Sequence, residues 1–412
     1  MNTSVKTSKL SLFALMLLVF GPGLVVMFAD TDAGSIIVAA QSGAQWGYHL
    51  LLLQFVLMPI LFIAQELAVR LGIITGKGHG ELIKNRFGKI CAWISVSTLI
   101  ISCIGAMFSE LSGLAGVGNL YGVPTYEMMI LVVVFLSIVV LTGSYRFVER
   151  IALLFGLFEL TFFIVAWIAH PSIHEILDAM QKMPIHNHQF LFLLAANIGA
   201  VIMPWMVFYQ QSAVVDKKLN LSHLKAARWD TAIGAVITQL IMAAVLIATA
   251  ATIGQKNPGA SLDTVHQISN ALIPFLGDTA GKLLFAIGMT GAALIAAIVV
   301  SLTAAWTLGE VTGFKHSLEH HPKDAPWFYA TYIFILIVGA VVVSSGINLV
   351  NLSVAVTVMN ALLLPIVLGF LFLLARYALP NEHKLKGAYA WIVGIVLLIT
   401  AVFGLYAGLV GI

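Results

Sequence analysis

Eleven long apolar segments recur along this 412-residue chain, and each is long enough to cross a lipid bilayer as a helix. A crossing takes about 20 residues, because each residue advances an α-helix by about 1.5 Å. Charged residues make up only 9% of the sequence, whereas soluble proteins have about a quarter. The sequence therefore predicts an all-α polytopic membrane protein. The predicted spans are 11–44, 47–70, 89–117, 124–143, 149–170, 189–215, 227–254, 281–311, 327–346, 351–377 and 387–411.

The basic residues between these spans predict the orientation, because cytoplasmic loops are enriched in Lys and Arg. With a cytoplasmic N-terminus, all of the 21 basic residues lie on the cytoplasmic side except Lys182, Lys256 and Lys282. The C-terminus is then extracellular or periplasmic. Lys6 and Lys9 precede the first apolar run, but no small-residue cleavage signal follows. We therefore expect this run to be helix 1 of a multi-pass protein in a bacterial inner (plasma) membrane.

Two of the predicted spans are interrupted. The first contains the sequence FADTDAGS at 28–35, whose two aspartates are costly at mid-bilayer depth unless they face a cavity or a ligand. The sixth contains NIGAVIMP at 197–204, where Pro204 removes a backbone donor and Gly199 weakens the preceding turn. Alternatively, Pro204 only kinks a packed helix and the aspartates lie in an external loop. The matching positions of the two breaks favour a binding site between them.

The two breaks also predict the domain organisation. Each begins a group of five spans, which is the pattern of an inverted repeat. We expect a single transmembrane domain over 1–412, with repeats at about 11–170 and 189–377 and an extra helix at 387–411.

Several motifs resemble the NRAMP family of divalent-metal transporters. The agreement is strong over the first six spans and rests mainly on layout in the last five. The resemblance implies a leucine-transporter-like fold, with broken helices 1 and 6 and eleven transmembrane helices. It also implies import of a divalent metal ion by alternating access. The motifs, from the strongest, are QELAVRLGIITGKG at 65–78, GPG at 21–23, GAVIMP at 199–204, SELSG at 109–113 and YRFVE at 145–149.

The resemblance also implies which residues bind the ion. The family uses the Asp and Asn of an Asp-Pro-Gly-Asn break, a carbonyl of the sixth span and a Met of that span. By position these are Asp32, Ser35, the Ala200 carbonyl and Met203. Asp30 is a further candidate ligand if its segment is unwound. Asp32 supplies the fixed negative charge that a cation site in a low dielectric requires.

The chain departs from the family at several positions. Ser35 replaces the amide ligand, and Ala33 replaces the proline. Trp205 stands in place of a His, and Met107 stands in place of an Asp of the proton path. The ninth span, 327–346, also lacks the family's basic residue. Loss of the His resembles the magnesium-transporting branch, in which proton coupling is absent.

The identity of the ion stays open at this point. The thioether of Met203 favours softer ions of the Mn²⁺ or Fe²⁺ kind, whereas a Ser35 hydroxyl suits partly hydrated Mg²⁺. Glu110, Trp205 and Glu159 are candidates for the proton pathway or for gating. An ionisable residue inside a membrane is usually functional, although a neutral carboxyl can also simply join two helices.

Other functions are weaker. The same fold carries small organic solutes such as amino acids or amines, and Asp32 could hold an amine. A channel or a metal sensor would lack the alternating-access cycle. The sequence shows no nucleophile–base pair and no cofactor loop, so an enzyme is not expected, nor is a nucleic-acid partner or a resident cofactor. The expected partners are the transported ion and the bilayer, and the oligomeric state is open.

Overall fold

The structure is a computed structural model that describes residues 21–169, 171–255, 259–262, 264–272 and 277–411. Regular structure in these ranges is helical and contains no strand, which confirms the all-α prediction. The predicted start of span 1 at 11–20, with Lys6 and Lys9, lies outside the described residues, as does Lys256. The helices are α1 Pro22–Asp30, α2 Ala33–Trp46, α3 Leu51–Thr75, α4 His79–Leu120, α5 Thr125–Leu141, α6 Tyr145–Phe158, α7 Thr161–Ile168, α8 Ile173–Gln181, α9 His188–Val201, α10 Pro204–Asp216, α11 Leu224–Thr249, α12 Val265–Leu272, α13 Asp278–Thr312, α14 Pro326–Val343, α15 Leu349–Tyr377 and α16 Gly387–Gly411.

Most of the predicted spans are present as single helices or as helices joined end to end. Nine in the described ranges are long and apolar enough to cross a membrane, and the bent pair α1–α2 makes a tenth. The predicted span 124–143 corresponds to α5, which has only 17 residues. At about 1.5 Å per residue it is about 26 Å long, near the lower limit for a crossing. The count of eleven therefore stays a prediction.

The third span begins at a backbone kink. Helix α4 has 42 residues, and Gly88 within it has φ 88° and ψ 175°. A positive φ of this kind favours glycine, which has no Cβ to clash with the backbone. The kink separates a short segment at 79–87 from the part that matches the predicted span 89–117.

Both predicted breaks are present, and each is two residues long. Helix α1 ends at Asp30 and α2 begins at Ala33, with a bend of 45° between them. Helix α9 ends at Val201 and α10 begins at Pro204, and the intervening backbone is extended at Met203. The extended conformation is the one that proline imposes on the residue before it.

Gly199 has a different role from the one expected of it. It remains helical, so it does not loosen the turn before Pro204. A Cβ at this position would lie 1.9 Å from the carbonyl oxygen of Thr357 on α15. Gly199 therefore allows the backbones of α9 and α15 to approach closely, which is a packing role.

Buried carboxylates tie the helices together at the predicted cytoplasmic end. Glu66 accepts from Arg70 at 2.6 Å, the i, i+4 neighbour on α3, and from Arg228 of α11 at 2.7 Å. Asp230 of α11 accepts from the backbone N–H of Gly23 at 2.7 Å, at the start of α1. These contacts hold α1, α3 and α11 together below the break.

A second group of contacts closes the same end around α10. Glu310 of α13 accepts from Ser212 of α10 at 2.6 Å and from the N–H of Gly80 at 3.0 Å. His79 lies 2.8 Å from the amide oxygen of Gln211, measured from its Nδ1 atom. Helix α10 is therefore fixed to α4 and α13 in the half that contains Gln211 and Ser212.

Candidate ion site

Asp32 lies in the first break and caps helix α2. Its Oδ1 atom accepts from the backbone N–H of Ser35 at 2.6 Å, and the residue is 2% exposed. A carboxylate in this position satisfies one of the four unpaired N–H groups at a helix start and is stabilised by the helix dipole. The local sequence therefore places a buried negative charge at the middle of the bent span.

The carbonyl of Ala200 is made available by the second break. In a continuous helix this oxygen would accept from the N–H of residue 204, four positions later. That residue is Pro204, which has no N–H. The Ser35 hydroxyl donates to the Ala200 oxygen at 3.0 Å, so the two breaks meet at this pair of oxygens. Neighbouring ligands of an octahedral Mg²⁺ site are separated by about 3 Å, so both oxygens fit one ion of this size.

Met203 and Trp205 flank Pro204 at the start of α10. Met203 is the N-cap residue and is 1% exposed, while Trp205 is completely buried. The indole N–H of Trp205 has no hydrogen-bond partner within the described part of the chain. The position where the family has a His thus carries a buried aromatic wall, and Met203 carries the thioether closest in sequence to the Ala200 carbonyl.

Glu110 reaches the first break from helix α4. Its Oε2 atom accepts from the backbone N–H of Ala33 at 3.0 Å, and its carboxyl interacts electrostatically with that of Asp32. The side chain is fully buried, and its Oε1 atom has no partner among the residues described. The structure therefore brings Asp32, Ser35, Ala200 and Glu110 together by direct contacts.

Asp30 and Glu159 lie nearby but outside this set of contacts. Asp30 is the last residue of α1, so the unwinding that would make it a ligand does not extend to it. Both of its oxygens are buried without a partner in the described ranges. Glu159 lies between α6 and α7, faces Thr31 and interacts electrostatically with Asp30 and Asp32. Both carboxyls stay candidates, and no hydrogen bond joins either of them to Ser35 or Ala200 within the described part of the chain.

The proton-path position on α4 is apolar. Met107 is fully buried, and a Cβ added to Gly339 of α14 would lie 2.7 Å from its Cγ atom. The two helices therefore meet here through a thioether and a glycine. This contact contains no group that could carry a proton.

A vestibule leads toward the site from the predicted outer end. Its volume is about 990 Å³, and its walls come from the C-terminal end of α2, the start of α9 and the start of α15. Gln41 lies at its wall and binds the 259–262 segment, donating to Ser261 at 3.0 Å and accepting from the N–H of Leu262 at 2.9 Å. Gln41 is six residues beyond Ser35, or about 9 Å along the helix. Because the site residues are buried, the ion site is closed to both ends.

A polar network joins three helices next to the breaks, and the sequence does not reveal which of its side chains pair. The Asn197 amide on α9 donates to Ser42 of α2 at 2.8 Å and accepts from Gln54 of α3 at 2.7 Å. The signal was available, because polar side chains inside membrane proteins commonly join helices. Their partners, however, lie more than 140 residues apart in sequence.

Few of the side chains at the two breaks are strong metal ligands. Over the described ranges, no group of three or more His, Cys, Asp or Glu residues is close enough to hold a metal ion. The candidate site instead combines one or two carboxylates with a hydroxyl, a carbonyl and a thioether. Such a donor set could coordinate a cation on some of its sides without enclosing it in a permanent cage.

Known proteins resemble the chain in both sequence and structure. Residues 23–409 match the natural resistance-associated macrophage protein-like family, Nramp. A protein of Mesorhizobium japonicum named divalent metal cation transporter MntH is 28% identical over 309 residues, which cover 71% of this chain and 66% of that protein. The family match confirms the resemblance that was drawn from the motifs.

Solved structures confirm the fold. The crystal structure of a manganese transporter from Eremococcus coleocola, in complex with an aromatic bis-isothiourea substituted compound, has a TM-score of 0.76 and 17% identity. The match covers 98% of this chain and 88% of that chain. The crystal structure of MhsT in complex with L-phenylalanine has a TM-score of 0.64 and 12% identity, covering 95% and 98%. The leucine-transporter-like fold that the family resemblance implies is therefore present.

Proposed function

We propose, from the premise that this chain belongs to the Nramp family, that it imports a divalent metal ion by alternating access. Family membership confirms the prediction that the chain is a membrane transporter and not an enzyme. The metal ion is its substrate, and no resident cofactor is involved. The relatives' names support a divalent cation as the class of substrate.

The observation that carries the proposal is the pairing of the two breaks. Pro204 leaves the Ala200 carbonyl without a helical donor, and Ser35 brings a hydroxyl to that oxygen at 3.0 Å. Asp32 adds a buried negative charge at the start of the same helix as Ser35. Partial negative charges and one full charge converge in a low dielectric, where a cation is stabilised strongly.

We propose Mn²⁺ or Fe²⁺ as the ion, with Mg²⁺ as the alternative. Met203 supports the first choice because its thioether binds softer transition ions better than Mg²⁺. Ser35 supports the alternative because a short hydroxyl leaves room for the water molecules that Mg²⁺ retains. The proposed ligands are Asp32, Ser35, the Ala200 carbonyl and Met203, with Asp30 as an additional candidate.

We propose that transport does not depend on a proton path between α4 and α14. The contact of Met107 with Gly339 supports this, because it contains no titratable side chain. Trp205 likewise cannot accept a proton where the family has a His. Glu110 and Glu159 are the remaining candidates for proton transfer if coupling is observed.

Uptake into proteoliposomes tests the ion and the coupling together. The full chain is reconstituted, Mn²⁺ and Mg²⁺ uptake are followed in parallel, and internal pH is recorded. Saturable Mn²⁺ entry without acidification is expected. Mg²⁺ entry in its place would indicate that Ser35 and Trp205 mark an uncoupled carrier of a partly hydrated ion. Acidification would show that another group carries the proton in place of the His. A large single-channel current would contradict a carrier.

A small organic cation is the second candidate substrate. The vestibule of about 990 Å³ could admit an amine or an amino acid, and the carboxyls of Asp30 and Asp32 could hold its ammonium group. The test adds amines and amino acids as competitors in the same uptake assay. Transport of an amine by vesicles that do not take up either metal would favour this candidate.

We also propose one transmembrane domain over 1–412 with the N-terminus in the cytoplasm. The basic residues support this orientation, because Lys182 and Lys282 are the exceptions within the described ranges. Introducing a cysteine at Lys182 and labelling it with an impermeant reagent from outside intact cells tests it. Labelling only after permeabilisation would reverse the orientation.

A further inference from the structure

We infer that Glu110 is a second carboxylate ligand of the ion site, held in position by the backbone amide of Ala33. This inference deepens the proposed function and rests on it. Its starting point is a contact between helices α4 and α2 that joins residues 77 positions apart, in which Ala33 N–H donates to Glu110 Oε2 at 3.0 Å.

The contact between Ala33 and Glu110 is possible because Ala33 has a free backbone N–H at the start of its helix. Ala33 is the first residue of α2, and the first four N–H groups of a helix have no partner within it. Asp32 satisfies the N–H of Ser35, and Glu110 satisfies the N–H of Ala33. Proline, which the family motif has here, could not donate. Two carboxylates thus converge on the same positive helix end.

Only one oxygen of Glu110 is used by this contact. Its Oε1 atom is buried and has no hydrogen-bond partner within the described ranges, while the carboxyl lies beside that of Asp32. A buried carboxylate oxygen without a partner is costly, and two adjacent carboxylates repel each other in a low dielectric. A divalent cation beside both carboxyls removes both penalties at once.

Close packing fixes Glu110 relative to the break. A Cβ at Gly113 would lie 2.5 Å from the Ala33 Cβ, so α4 presses directly against the first turn of α2. One turn earlier on α4, the Ser109 hydroxyl would lie 2.5 Å from a Cβ at Gly34. Close packing of α4 on α2 therefore fixes the Glu110 backbone beside the break, within reach of the Ala33 N–H.

The second charge also offsets the weakness of Ser35 as a ligand. A hydroxyl carries less negative charge than an amide oxygen, so a site with Asp32 alone would hold a divalent ion weakly. With Glu110 included, two negative charges match the two positive charges of the ion. We therefore expect Glu110 to matter more for divalent than for monovalent cations.

Titration calorimetry with Mn²⁺ on the purified full chain tests the inference. Glu110→Gln removes the charge and keeps an oxygen for the Ala33 N–H, whereas Ala33→Pro removes the donor and keeps both charges. We expect Ala33→Pro to weaken Mn²⁺ binding by about 10- to 100-fold, as loss of a ligand-orienting contact does. Glu110→Gln should weaken it further, and the double variant should be no weaker than Glu110→Gln alone.

The controls match the two substitutions. Glu127→Gln makes the same change on an exposed position of α5, and Ile173→Pro introduces proline at the first residue of exposed helix α8. Both should bind Mn²⁺ like the unmodified chain. If Glu110→Gln fails to fold, judged by size-exclusion chromatography, Glu110→Asp replaces it. The shorter acid keeps the charge but withdraws it, and should lose affinity by several-fold.

Three results would overturn the inference or its premise in distinguishable ways. Unchanged Mn²⁺ affinity in folded Glu110→Gln, or in Glu110→Asp where that replaces it, would show that Glu110 is not a ligand. Weakened Glu110→Gln with unaffected Ala33→Pro would show that the amide does not position it. Asp32→Asn is measured in the same series. Weaker Mn²⁺ binding in Asp32→Asn would show that the ion site exists, so that the two results above concern Glu110 and Ala33 alone. If neither Asp32→Asn nor Glu110→Gln changes binding, the proposed ion site is wrong.

Discussion

Restoring a backbone donor at position 204 should close the second break and compete with the ion. Pro204 is the reason that the Ala200 carbonyl has no helical partner, because the residue four positions later would otherwise donate to it. Pro204→Ala supplies that N–H while leaving Asp32, Ser35 and Met203 unchanged. The ion must then displace a hydrogen bond before it can bind the carbonyl, so its affinity should fall.

Two free-energy contributions bound the expected loss of Mn²⁺ affinity in Pro204→Ala. A backbone hydrogen bond contributes about 1 kcal/mol net, which corresponds to about a fivefold change in affinity. If α9 and α10 also join into a continuous helix, removal of proline favours that state by up to about 3 kcal/mol, or about 150-fold. We therefore expect the dissociation constant for Mn²⁺ to rise between about fivefold and about 150-fold.

Titration calorimetry measures this change, and thermal unfolding accompanies it. Pro326→Ala is the matched control, because Pro326 also occupies the first position of a helix, α14, but lies outside the site. Pro204→Ala should unfold at the same temperature as the unmodified chain or a higher one, since helix formation becomes easier. A folded Pro204→Ala protein with unchanged Mn²⁺ affinity would refute the role of the Ala200 carbonyl.

Three further predictions follow from the same contacts. Asp32→Ala should abolish uptake of any cation because it removes the fixed charge. The control Asp178→Ala, at an exposed position of α8, should take up cations normally. Undiminished uptake by Asp32→Ala would contradict the proposed site. Met203→Ala should weaken Mn²⁺ binding more than Mg²⁺ binding, and equal losses in parallel titrations would mean that the thioether only packs. Glu66→Gln should lower the unfolding temperature, because Arg70 is 8% exposed and would lose its charged partner; breaking a buried pair costs about 3–5 kcal/mol. An unchanged unfolding temperature would show that Arg70 is solvated at the membrane surface.

The sequence predicted the features that depend on neighbouring residues. Pro204 and Asp32 disrupt their own helices, so both breaks were located to within a few residues. The Glu66–Arg70 motif at i, i+4 likewise predicts an ion pair on one helix face. The partner Arg228 could not be inferred, because it comes from a helix 162 positions away.

Features that depend on distant packing were missed or misassigned. Gly199 was expected to weaken a turn, but its function is set by Thr357 on α15, which no local pattern reveals. The contact of Glu110 with Ala33 joins two elements whose relative position only the folded bundle defines.

The distribution of these contacts suggests how one site can be exposed alternately. The outer half-helices α2 and α9 are joined to each other by Ser35 with Ala200 and by Ser42 with Asn197. The inner half-helices α1 and α10 are joined to other helices instead, through the Asp230 and Glu310 carboxylates.

Each break therefore separates a half-helix that carries a proposed ion ligand from a half-helix that closes the predicted cytoplasmic end. The two non-helical residues at each break could serve as hinges, so that the inner halves move while Ser35 and Ala200 keep their spacing. Opening inward would require water to replace the carboxylate contacts at Gly23 and Ser212, which lie at the predicted cytoplasmic end. The ligand pair can thus stay intact while the closure below it is broken, and this is the physical requirement of alternating access.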